Sequence, residues 1–201
     1  MPVHPPAPVS RAALLRRGGA ALLSAGVAGS LLAGPAGAAV PDNDLAYLRL
    51  LIGAELLAAD FQAQALASGE LAAPTAGALK QMSADEAAHY TGLAQLVTAA
   101  GQTPATALDI DFSYPKRSFD TQASILELAW SIETLTLGAY LGAVESVLSA
   151  QLRLPIGQIA ANEAQHLSAL APMLGRPTIG RAFGPALSIA AVTSALDDFE
   201  S

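Results

Sequence analysis

The sequence predicts an all-α protein: a four-helix bundle with one long crossover between helices two and three, plus a short C-terminal helix. Three features predict it. Four long stretches repeat their apolar residues at helical spacing. No stretch of any length alternates apolar and polar residues as a strand would. Two of the links between the stretches are short, whereas the third, "QTPATALDIDFSYPKRSF", is long and mixes proline, aspartate and aromatic residues. That pattern of links suits a bundle with a single crossover.

The first helix is expected from about Asp44 to Ser68, with Leu48, Leu51, Ile52, Ala59 and Leu66 on one stripe. Asp42, Asn43 and Asp44 are start signals, and Gly69 ends the helix. The second runs from about Pro74, well placed at a first helical position, to Ala100, with Gly101 closing it. The third spans about Asp120 to Gln151, and the fourth starts near Pro155 and stops near Gly175. Ser188 caps a shorter helix that reaches Phe199.

The segment before these helices has another character. Arg11, Arg16 and Arg17 form a basic start to the small, apolar run "GGAALLSAGVAGSLLAGPAGA", which ends in Ala36-Gly37-Ala38. A basic region, a short apolar core and an A-x-A ending mark a secretory signal peptide. Residues 1–38 are therefore expected to be removed on export, and Arg16-Arg17 suggests the twin-arginine route. The run holds many Gly and Ala and few Leu, so it makes a poor membrane span. No transmembrane span is expected in the mature chain. The mature domain, residues 39–201, is long enough for a real core and is expected in the periplasm, at the cell surface or secreted.

The chain carries 10 Lys and Arg against 17 Asp and Glu, a net charge of −7. The first 38 residues contain three of the arginines and no acid, so the remainder carries −10. Such a chain is ill suited to nucleic acid, whose phosphates attract basic surfaces, but it attracts cations. It has no cysteine, which excludes disulfides and thiolate metal sites.

The informative polar residues fall on the apolar stripes. Glu55 follows Leu48, Leu51 and Ile52. Glu86 follows Leu79 and Met82, with His89 and Leu93 after it on the same face. Glu133 follows Leu126 and Ala129 and precedes Leu137 and Tyr140. Glu163 follows Ile156 and Ile159 and precedes His166, Leu167 and Leu170. Each helix thus directs one Glu toward the core, and helices two and four each add a His. Buried carboxylates at one level repel one another and are costly unless paired. No Lys or Arg lies on these stripes, so bound metal cations would resolve the conflict. Helical residues three apart lie about 60° apart around the axis and about 4.5 Å along it, so a Glu and a His can reach one ion together. One Glu from each of two helices, with Glu-x-x-His from each of the others, is the pattern of a di-iron or di-manganese carboxylate site. Two metal ions are expected, iron first, with manganese and zinc as alternatives the same donors suit. The spacing supports one site: Glu55 precedes Glu86 by 31 residues and Glu133 precedes Glu163 by 30.

These residues carry a family resemblance. The segments "AELLAADFQAQAL", "ADEAAHYTGL", "SIETLTLGAYLGAVESV", "NEAQHLSAL" and "RAFGPALSIAAVTSALDDF" span most of Asp44 to Phe199. They resemble the ferritin-like superfamily, and more specifically the exported ferritin-like domain family that includes desiccation-related proteins. The resemblance implies that Glu55, Glu86, His89, Glu133, Glu163 and His166 are the metal positions. It also implies Fe(II) oxidation, iron storage or peroxide handling, with oxygen or peroxide as partner, and is compatible with a homo-oligomer. One fold hosts several functions, so the resemblance does not choose among them. The alternative is a non-enzymatic cell-envelope bundle in stress or desiccation protection, with a vestigial or structural metal site.

Other polar residues receive simpler readings. Glu145 breaks the matched spacing and is expected in a solvated or helix-end role, and Glu127 lies off the stripe. Tyr140 and Tyr90 are expected to pack with satisfied hydroxyls. Asp85 is expected at the surface, with a hydrogen bond near the site as the alternative. Gln62 is either packing or a neighbour of the ligands. Trp130 is expected in the core or an interface.

Overall fold

A computed structural model of the chain describes residues 40–200. The signal peptide expected over residues 1–38 lies outside them. The described residues form five helices and no strand beyond one isolated bridge between Phe112 and Glu200. The helices are α1 (Asp42–Ala67), α2 (Ala73–Ala99), α3 (Gln122–Ser146), α4 (Ala150–Met173) and α5 (Ile189–Asp197).

The arrangement of the long helices explains the links. α1 packs on α2 and α3, and α4 packs on α3 and α2, so the four close a ring. α2 and α3 stand diagonally in it and are joined by the long crossover, residues 100–121. The sequential neighbours α1 and α2, and α3 and α4, need only short turns. Aromatic rings fasten the crossover to α1: Phe61 lies 5.8 Å from Phe119 and 6.1 Å from Tyr114, between ring centroids. The Tyr114 hydroxyl also donates to Asp60 at 2.8 Å.

Two boundaries differ from the sequence expectation. The third helix stops at Ser146, not near Gln151, and the fourth begins at Ala150, not at Pro155. The cause is Asp44, expected to start the first helix. Its buried carboxylate accepts from the backbone N–H groups of Leu148 (2.7 Å) and Ser149 (2.9 Å), so it serves the start of α4 from across the bundle. Burial pushes the Asp44 pKa up, but these bonds and one from the Ser149 side chain outweigh it and hold the pKa below the usual value. Pro155 consequently sits inside α4. α3 starts from a capping box in which Thr121 and Ser124 each bond the other's backbone N–H. Ser188 caps α5 as expected, accepting from Ala191.

One core runs through the bundle, with Leu48, Leu51, Ile52, Leu79, Leu93, Ile125, Ile132, Ile156 and Leu170 almost entirely buried. α1 is long and apolar enough to cross a membrane, but 56% of that apolar window is buried inside the protein. Its composition is that of a core helix. On the outer side of α3, Leu187 donates its N–H to the Gly138 carbonyl at 2.9 Å. A Cβ at Gly142 would lie 1.9 Å from the Leu187 oxygen, so the chain leading to α5 needs glycine there.

Candidate metal centre

Midway along the bundle the apolar core is interrupted by six polar side chains. Glu55 on α1, Glu86 and His89 on α2, Glu133 on α3, and Glu163 and His166 on α4 are all buried. The sequence directed one Glu per helix and two His inward, and the structure brings all six together. They form two groups: Glu55, Glu86, His89 and Glu163 in one, Glu86, Glu133, Glu163 and His166 in the other. Within each group the nearest donor atoms lie within 4.8 Å of one another. Glu86 and Glu163 belong to both, so they sit where carboxylates would bridge two ions, while Glu55–His89 and Glu133–His166 stand at the two ends.

Both imidazoles turn Nδ1 inward. His89 Nδ1 lies 2.9 Å from Glu163, 3.3 Å from Glu86 and 3.5 Å from Glu55. His166 Nδ1 lies 3.1 Å from Glu133 and 3.3 Å from each of Glu86 and Glu163. The two rings are 6.2 Å apart between centroids. The carboxylates and imidazoles shift one another's pKa values. Burial pushes the His89 pKa down, but Glu163, Glu55 and Glu86 outweigh it and raise it to about 12. His166 is likewise raised by Glu133, Glu163 and Glu86 against its burial. Burial raises Glu55 and Glu133 well above the usual carboxylate range, helped by the charge of Glu86. Burial alone would raise Glu86 too, but its bonds to His166 and His89 bring it far below.

Three further side chains reach the ligands. The fully buried Tyr140 donates its hydroxyl to Glu55, and burial and that carboxylate keep the phenol protonated. Gln62 Nε2 donates to Glu86 at 3.2 Å and to Glu133 at 3.3 Å, which decides the reading left open from the sequence. Asp85, expected at the surface, is half-buried, and its Oδ2 lies 3.4 Å from His166 Nε2. The expected surface reading fails because helix α4 brings His166 alongside. Its position one residue before Glu86 was the available signal. Glu145 and Glu127 are exposed, as expected. Tyr90 bonds the Ala105 carbonyl in the crossover, and Trp130 is partly buried beneath the Arg176 guanidinium.

The donor set fits cations. Glu55 Oε2, Gln62 Oε1 and both carboxylate oxygens of Glu163 are buried without a hydrogen-bond partner. His89 approaches Glu163 closely, but not in hydrogen-bonding alignment. Orphaned buried acceptors are costly, and cations held by the two groups would satisfy the three carboxylate oxygens. Oxygen and imidazole donors suit iron, manganese and zinc.

A family model described as "Ferritin-like domain" matches residues 43–176, which include all six side chains. No curated protein matches the sequence.

Proposed function

The chain belongs to the ferritin-like domain family, and from that premise we propose that it holds two iron ions and oxidises Fe(II) with oxygen or peroxide outside the cytoplasm. The observation that carries the proposal is the pair of four-residue groups sharing Glu86 and Glu163, whose buried oxygens lack hydrogen-bond partners. Glu55 and His89 would hold one ion, Glu133 and His166 the other, and the shared carboxylates both. Bound iron supplies one-electron redox chemistry. The chain supplies four hard carboxylates that favour the ferric state, and a buried, water-poor setting in which their charge acts strongly. Tyr140 and Gln62 hold the terminal carboxylates in place. Export through the segment before residue 39, and membership of the exported family that includes desiccation-related proteins, belong to the same proposal.

The test is anaerobic Fe(II) loading followed by oxygen. Ferric absorbance should develop in the wild type, and Glu86→Ala should bind less iron and develop little. Equal iron binding by Glu86→Ala, with no ferric absorbance in either protein, overturns the proposal. Full metal retention without oxygen chemistry would leave a structural ion in a non-enzymatic bundle.

A further inference from the structure

The two helix pairs repeat their ligands, and they also repeat the residues behind the ligands. Gln62 stands seven residues after Glu55, and Tyr140 stands seven after Glu133. Asp85 directly precedes Glu86, and Asn162 directly precedes Glu163. Three supporting contacts cross to the other pair: Gln62 on α1 to Glu133 on α3, Tyr140 on α3 to Glu55 on α1, Asp85 on α2 to His166 on α4, while Gln62 also bonds Glu86 within its own pair. The fourth contact of this set would join Asn162 on α4 to His89 on α2. No hydrogen bond joins them among the described residues. The ligands therefore repeat, while their supports differ at both places: amide against phenol, carboxylate against amide.

Both differences act in one direction. An imidazole that donates its outer N–H to a carboxylate is fixed in tautomer and orientation, and is a more basic metal ligand. Asp85 does this at His166 Nε2, leaving Nδ1 for the ion, and a neutral asparagine cannot match it at His89. A phenol is the more acidic donor, so Tyr140 draws more electron density from Glu55 than the Gln62 amide, shared between Glu86 and Glu133, draws from Glu133. Resting on the two-ion reading above, we infer that the two ion positions are inequivalent, and that Asp85, as a positioning residue, makes the Glu133–His166 position the tighter one.

The test is calorimetric titration of Co(II) into the full, chelator-stripped chain under anaerobic conditions. The wild type should take up two ions in two resolved steps. Asp85→Asn should weaken the tighter step by about 10- to 100-fold, the usual cost of removing an outer partner of a ligating histidine, and leave the weaker step unchanged. Asp85 is 30% exposed, so its variant should still fold, and a cooperative metal-free melting transition measured alongside checks this. Two ions bound with Asp85→Asn constants equal to those of the wild type overturns this inference and leaves the two-ion reading standing. No Co(II) uptake by the wild type overturns both.

Discussion

The apolar layers of the bundle and its central polar layer are built on the same four helices but are held by different means. Leu48, Leu51 and Ile52 need only to be kept from water, and every neighbour that excludes water serves them. One turn further along α1, Glu55 is equally buried, yet burial works against its charge and pushes its pKa up. An apolar layer is satisfied by shape. The polar layer is satisfied only by counter-charge, which the chain supplies in part through two histidines and which metal ions would complete. The difference teaches that stability and function are separable here: each layer should respond to a perturbation that leaves the other indifferent.

The largest expected effect tests the apolar side. Leu51→Ala should cost about 2–5 kcal/mol, the usual range for emptying a fully buried leucine site. Denaturant unfolding should give the same loss with metal and with chelator. A loss that appears only when metal is present would mean that the two layers are not separable.

Metal is the converse perturbation. With free Zn(II) at about a hundredfold over the dissociation constant of the tighter position, binding there should raise the unfolding free energy by about 2.7 kcal/mol. Glu163→Gln should remove most of that gain, because Glu163 belongs to both groups, while the stripped variant should unfold cooperatively like the stripped parent. A stabilisation by Zn(II) that survives Glu163→Gln would place the ion elsewhere.

This contrast also explains what could be read from the sequence. Helical periodicity is a local property, so the five helices and the inward direction of Glu55, Glu86, His89, Glu133, Glu163 and His166 were legible, and the matched spacing of 31 and 30 residues tied them together. Contacts between distant helices leave little local trace. Asp44 looked like the start of its own helix but caps α4 more than a hundred residues later. Asp85 looked like surface until α4 placed His166 beside it. Gln62 could be put on the ligand stripe, but its bonds to Glu86 and Glu133 depend on where α2 and α3 lie.

The smallest expected effect is a dependence on pH confined to the metal-free protein. His89 has a folded pKa raised to about 12, against an ordinary value of 6.5, and His166 shifts in the same direction. Groups raised on folding stabilise fully below their unfolded pKa, and that contribution is lost as pH rises toward the folded one. Melting temperature of the chelated protein should therefore fall steadily as pH is raised above about 6.5. Metal binding needs neutral imidazoles, so the loaded protein should lack this decline and affinity should grow with pH. Parallel pH profiles for the two forms would show that the histidines do not exchange protons for metal.

The most direct measurement of the central claim is the metal content of the chain isolated from its own compartment, set beside that of a Glu86→Gln/Glu163→Gln double variant prepared in the same way. Two ions per chain, iron foremost, are predicted for the wild type, and a folded double variant with little or none. Equal metal in both proteins, or none in the wild type, would contradict the account.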